Sequence, residues 1–281
     1  MKTVKFSYLL HKYDVILFDS YGVLKNYNGI IKGIHETITS LHKRNIPYRI
    51  LTNDASSSSK KLAHKFSIGG LTINPDHIVT SGMMAKSFLD TKTIKGKVLY
   101  LGTLNSSEYI IESNKEAISI SEYRDTMIDE IGAIVFLDDE GFQWSTDINK
   151  VVNLLRKKTI PVIVANSDKL YPITKNDVSI ATGAIAQLVE SILNRDFIHF
   201  GKPDVQMFAY AFNHLVKEHG HLDKSKVLMV GDTLHTDILG GTKFGVDTLL
   251  VLSGNTSMKN ADVMIQSSGV APDYIADSIA G

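Results

Sequence analysis

Asp232 and Asp237 stand in GDTLHTD, directly after the apolar run VLMV. If that run is a strand and the intervening loop folds back over the sheet edge, both carboxylates can face one cation. Hard divalent ions such as Mg²⁺ favour an oxygen set of this kind, often completed by phosphate and water. The same letters also read as a Gly-Asp turn followed by a helix cap. Asp19 ends a second apolar run, VILF, ahead of Ser20, Tyr21 and Gly22. Its carboxylate would then fall at the carboxyl edge of a parallel sheet, where open α/β folds bind ligands. An aspartate that merely opens a turn would look alike.

Two further elements are polar or cationic. Thr52 and Asn53 follow YRIL and precede a helical pattern, offering a hydroxyl, an amide and free backbone N–H groups to an anion at a helix N-terminus. Plain capping by Asn53 or Asp54 fits the same stretch. Lys202, in FGKPDV, stands before a helix whose first position suits Pro203, and a lysine there is commonly a solvated charge. Each element is weak alone. In this order, however, an acid, a Thr-Asn pair, a lysine and a Gly-Asp pair would converge on one sheet edge as nucleophile, anion cradle, cation and metal site.

The elements that must position them alternate between strand-like and helical patterns. VILF is followed by Ile31, Ile34, Ile38 and Leu41 at helical spacing, then by YRILT. Near the C-terminus Val205, Phe208, Phe212 and Leu215 precede VLMV, and TLLVL comes after a short Gly-rich segment. This is the βαβ signature of a doubly wound, Rossmann-like parallel sheet. The middle carries its own strands in VLYL, AIVFL and PVIVA. It also has a helix patterned by Ile148, Val151, Val152 and Leu155, with Ser145 and Thr146 as capping candidates. An inserted α/β cap domain is therefore expected over residues 81–182, with the core formed by 1–80 and 183–281. The serines at 56–59 read as a solvated loop and helix start. Trp144 reads as cap packing and His235 as a solvated loop residue.

The 281 residues carry 30 basic and 30 acidic side chains, with no block of like charge, so neither a nucleic-acid groove nor a membrane anchor is expected. Small molecules become the default partners. Cysteine is absent, which removes disulfides, thiol catalysis and thiolate-bound zinc. MKTVKFSYLLHKYD lacks the apolar core of a signal peptide, and no run approaches the roughly 18 apolar residues of a membrane span. A soluble cytoplasmic protein is the expectation.

DSYGV, LTN, GKP and GDTLHTD, taken in order, resemble the four motifs of the haloacid-dehalogenase-like (HAD) hydrolase superfamily. VANSD at 164–168, TGAIAQLVE at 182–190 and LLVLSG at 249–254 resemble its class IIA, NagD-like members, which carry an α/β cap between the second and third motifs. The resemblance implies a Mg²⁺-dependent phosphatase of small phosphate esters, sugar phosphates first. It makes Asp19 the nucleophile that becomes an aspartyl phosphate. It implies that Mg²⁺ is held by Asp19, Asp232 and the Tyr21 backbone carbonyl, with Asp237 in support, and that Thr52, Asn53 and Lys202 bind phosphate oxygens. Asn166, Ser167 and Asp168 would form a substrate-contacting cap loop, and a homodimer is the implied assembly.

Residue 21 departs from the pattern. Most phosphatases of the superfamily carry an aspartate there that protonates the leaving group and then deprotonates water; here it is tyrosine. A phenol titrates near pH ~10, so at neutrality it can donate a proton but is a poor base. The second chemical step should suffer most, unless a cap residue such as Asp168 supplies the base. Two rivals follow: a phosphate-ester-binding or regulatory protein with little turnover, and a haloacid dehalogenase. The latter has no use for Asp232 and Asp237, whose unneutralised charge would repel a carboxylate substrate and Asp19.

Overall fold

The computed structural model describes residues 2–174 and 177–280. The chain forms two compact units. The first takes the chain up to Thr52, Ser59–Val79 and everything from Lys202 onward; the second takes Asn53–Ser58 and Thr80–Gly201.

The first unit is built on a seven-stranded sheet. Its order is Lys2–Thr3, Tyr274–Ala276, Asp247–Val251, Val227–Gly231, Val15–Asp19, Tyr48–Thr52 and Ile78–Thr80. The registered pairs from Lys2–Thr3 across to Tyr48–Thr52 are parallel. Val15–Asp19 and Val227–Gly231 are buried at every position, as strands covered on both faces must be, which is why they read as continuous apolar runs. Ile16, Phe18, Ile50, Leu228 and Val230 face one layer, where Ile34, Ile38 and Leu41 of helix Ile34–Lys43 and Leu62 and Phe66 of helix Ser59–Ile68 close the core. On the other face Arg49 reaches Glu218 of helix Val205–His219.

The second unit has a five-stranded parallel sheet ordered Ile198–His199, Val162–Val164, Ile131–Phe136, Lys97–Leu101 and Ala117–Ser119. Val151, Leu154 and Leu155 of helix Trp144–Lys157, and Ile185, Ala186 and Val189 of helix Thr182–Leu193, pack into one core with Leu99, Ile134 and Val164. The architecture is thus a Rossmann-like α/β core with an inserted α/β cap.

Several local expectations shift. The main segment of the second unit opens at Thr80, after the short piece Asn53–Ser58, but the return to the core falls at Lys202 instead of 183, because the apolar face of Thr182–Leu193 is buried against the second sheet. Helix Val205–His219 is capped by Asp204, whose side chain accepts from the Gln206 amide, so Pro203 lies ahead of the helix and not at its first position. Helix Trp144–Lys157 starts before Ser145 and Thr146, which sit in its first turn and not at its cap. Trp144 keeps a partly exposed ring, with its indole N–H donating to the Asp139 carbonyl at 2.9 Å, so it is not a packed cap residue. Among the serines of 56–59, Ser57 is buried and its carbonyl accepts from the Tyr109 hydroxyl at 2.7 Å. Among the described residues no helix is long and apolar enough to cross a membrane.

Candidate active site

Adjacent parallel strands bring the chemistry together. Asp19 and Thr52 are the last residues of neighbouring strands, and Asp232 directly follows Gly231, the last residue of the strand on Asp19's other side. The segment Leu234–Ile238, a π-type turn before helix Leu239–Phe244, swings Asp237 back over this edge. Its Oδ2 accepts from the amides of Asp232 at 3.2 Å and Thr233 at 3.1 Å. Carboxylate oxygens of Asp19, Asp232 and Asp237 all lie within 4.8 Å of one another. His235, in the same turn, is exposed.

Lys202 completes the cluster. Its side chain is 3% exposed, and its ammonium donates to Asp19 Oδ1 and, at 2.7 Å, to Asp237 Oδ1. Burial pulls the ammonium down, yet the Asp19 and Asp237 carboxylates outweigh that and hold it above its ordinary value. Burial likewise pushes Asp19 well up, opposed by Lys202 and reinforced by Asp237 and Asp232. Asp232 rises to about 7, through burial first and the Asp237 charge second. Three buried acids outnumber the one ammonium, and the atoms they offer are all oxygen. Such a set fits a hard divalent cation.

Two glycines make the close approach possible. A Cβ on Gly22, whose φ is +78°, would fall 2.0 Å from Asp232 Oδ2, and one on Gly254 would fall 1.9 Å from the same atom. Tyr21, half-buried, does not present a free phenol. The Tyr27 backbone amide donates to its oxygen; burial, the largest influence, still raises its pKa.

The other expected site residues lie in the second unit. Asn53 follows Thr52 in the chain but clusters there, its Nδ2 donating to Asp168 Oδ1 at 2.9 Å. No helix opens directly after it: Asp54 Oδ1 accepts from Ser56, and the helix begins at Ser59, so the expected helix N-terminus is displaced from Thr52 and Asn53. Asn166 Oδ1 accepts from the Asp168 amide at 2.9 Å, and the Ser167 hydroxyl donates to the Phe200 carbonyl at 2.7 Å. The structure therefore joins Asp19, Lys202, Asp232 and Asp237 beside Thr52, and separately joins Asn53 to the loop of Asn166, Ser167 and Asp168.

Sequence reasoning missed Thr233, Ser253 and Asn255. Asn255 donates its backbone N–H to Asp232 Oδ2 at 2.6 Å, and Thr233 its hydroxyl to Asp232 Oδ1 at 2.8 Å. The Ser253 hydroxyl donates to the Gly22 carbonyl at 2.6 Å. Thr233 had a local signal, a hydroxyl beside a candidate ligand. Ser253 lies in LLVLSG, a stretch read only for its family resemblance, and Asn255, just beyond it at the same strand end, had no signal.

Residues 16–116 match the family described as haloacid dehalogenase-like hydrolase, and residues 199–281 a second, HAD-hydrolase-like family. The crystal structure of a possible sugar phosphatase of the HAD superfamily from Cytophaga hutchinsonii is 49% identical. It superposes with a TM-score of 0.95 over 100% of this chain and 99% of that one. The chain belongs to the haloacid dehalogenase-like hydrolase superfamily. Within it the likeness is to the NagD-like class. The ribonucleotide monophosphatase NagD of Escherichia coli is 26% identical over 94% of this chain and 96% of its own. The dihydroxyacetone phosphatase of Corynebacterium glutamicum is 26% identical over 99% of this chain and 90% of its own. In this HAD chain the aspartates, lysine and threonine occupy one sheet edge, while tyrosine stands at position 21.

Proposed function

We propose that this chain is a phosphoric monoester hydrolase that acts on small phosphate esters, sugar phosphates first, through an aspartyl phosphate on Asp19. The observation that carries this reading is the convergence of Asp19, Lys202, Asp232 and Asp237 on one strand edge. Lys202 holds Asp19 Oδ1 and leaves the second oxygen to attack phosphorus, whose bond to the leaving alkoxide breaks with the electron pair on that oxygen. Lys202, Thr52 and Asn53 bind the phosphoryl oxygens. Asp19, Asp232 and the Tyr21 backbone carbonyl would hold Mg²⁺, with Asp237 in support, and the ion would supply charge neutralisation between carboxylate and phosphate dianion. Asn166, Ser167 and Asp168 contribute substrate contacts from the cap. The likeness to the NagD-like class supports a cytoplasmic homodimer, and the balance of 30 basic against 30 acidic residues supports a protein that has neither nucleic-acid nor membrane partners.

Hydrolysis of the aspartyl phosphate needs an activated water, and Tyr21 is poorly suited to activate it. Its phenol is engaged by the Tyr27 amide, and burial moves its pKa further from neutrality. General acid/base help is worth about 10² to 10⁴ in rate, so the phosphoenzyme should accumulate. A panel of phosphate esters with Mg²⁺, scored for released phosphate and for covalent phosphorylation, tests the reading against an Asp19→Asn control. A Mg²⁺-dependent burst that the control lacks supports it; phosphate release equal to the control removes it. The same engagement of Tyr21 favours the second reading, a regulatory protein that binds phosphate esters with little turnover. That reading requires tight ester binding with neither burst nor release.

A further inference from the structure

We infer that Asn255, acting through Thr233, is a positioning residue that fixes both carboxylate oxygens of Asp232. Its backbone N–H takes Oδ2 at 2.6 Å. Its side-chain Nδ2 donates to Thr233 Oγ1 at 2.9 Å, and that hydroxyl donates to Asp232 Oδ1 at 2.8 Å. In the ionised form that a cation ligand takes, the Asp232 carboxylate only accepts, so the hydroxyl proton of Thr233 points at Asp232, and its remaining lone pairs take a donor, which the amide supplies. Turning the Asn255 amide over would face one acceptor with another and break the chain.

The loop that carries Asn255 is tied at both sides of the site. Ser253 Oγ donates to the Gly22 carbonyl at 2.6 Å, and the Thr256 amide donates to the Asp232 carbonyl at 3.2 Å. The missing Cβ of Gly254 lets the loop lie against both Gly22 and Asp232. Each Asp232 oxygen thus has one lone-pair direction occupied by a fixed donor. One Asp232 carboxylate oxygen also lies within 4.8 Å of carboxylate oxygens of Asp19 and Asp237. A carboxylate held at both oxygens presents a fixed pair of donor atoms, whereas a free one must be ordered as the cation binds. Partners beyond a metal's own ligands commonly govern affinity by 10- to 100-fold.

This inference rests on the reading that Asp232 holds a divalent cation. Mn²⁺ serves as the probe, with binding to the full-length protein followed by electron paramagnetic resonance and thermal unfolding recorded without metal. Asn255 is exposed, so Asn255→Ala leaves the core intact. Asn255→Ala and Thr233→Val should each weaken Mn²⁺ binding by about 10- to 100-fold at an unchanged metal-free unfolding temperature. Thr233→Ser, which keeps the hydroxyl, should stay within about threefold. The double variant should lose no more than the worse single one, because both changes break one chain of hydrogen bonds. Wild-type affinity in a folded Asn255→Ala protein overturns the inference and leaves the proposed function standing. Failure of the wild-type protein to bind Mn²⁺ overturns both.

Discussion

The backbone amide of Tyr27, from the loop joining strands Lys25–Asn26 and Gly29–Ile30, donates to the phenol oxygen of Tyr21. The side chain two positions after the candidate nucleophile is thereby committed to a hairpin. Replacing it with an acid should therefore add a function. Tyr21→Asp is expected to raise steady-state phosphate release by about tenfold or more and to lower the acid-quenched phosphoenzyme, since general base help is worth about 10² to 10⁴. Tyr21→Phe should change release by less than about threefold. No gain in the aspartate variant would show a site reorganised around tyrosine.

Lys202 is the one cation in contact with Asp19 and Asp237 among the described residues. Lys202→Met removes it and leaves buried acids facing each other. In metal-free protein, urea denaturation should register a loss of about 3–5 kcal/mol, the range for breaking a buried pair by deleting one partner. Aspartyl phosphate formation should vanish as well. A variant of unchanged stability would mean that the acids had already shed their charge by binding protons.

The pH dependence of the metal-free protein has a definite sign. The pKa of Asp232 is raised to about 7 from 3.8, so the native state holds that proton more tightly than the unfolded chain. The stability gained this way is complete below the unfolded value and is withdrawn as pH rises through about 7. Thermal unfolding in chelator should thus fall between pH 6 and pH 8. Mg²⁺ at about 100 times its Kd should add about 2.7 kcal/mol at the higher pH, and less at the lower one, where protons compete. Equal Mg²⁺ effects at the two values would count against the cluster as the binding site.

Far from this edge, Arg49 is buried in the sheet and its guanidinium meets Glu218 at 2.5 Å. The hydrogen bond from Arg49 holds the Glu218 carboxyl below the usual glutamate range. Its contribution is present above the unfolded pKa of about 4.5 and disappears as pH falls through the depressed value. Glu218→Gln should cost about 1–2 kcal/mol at pH 7, less than a fully buried pair because the carboxylate is half-exposed. The deficit should close toward pH 3 in parallel denaturation curves.

The parallel sheets were readable because strands buried on both faces are written as apolar runs. VILF and YRIL lead directly into Asp19 and Thr52, and VLMV into Gly231 and Asp232, so letters alone place these three residues at a sheet edge. Position 202 needed the order of motifs, since nothing local separates a buried lysine from a solvated one. Letters alone place 183–193 in the core because no linker residues mark the crossing at Lys202; which sheet an apolar face covers is decided by tertiary packing. Asn255 stayed invisible for a related reason. Its partners Asp232 and Thr233 sit at the end of a neighbouring strand, and no sequence period links the two.

The pairing of Val15–Asp19 with Val227–Gly231 sets an order of events during synthesis. The strand bearing Asp19 leaves the ribosome long before Val227–Gly231, its neighbour on one side. The second unit, whose sheet is complete by His199, can fold while the first still shows an open edge. Pairings this distant along the chain form slowly and leave strand edges exposed in the interval. The nascent protein must therefore carry an unfinished first unit until Val227–Gly231 has been made.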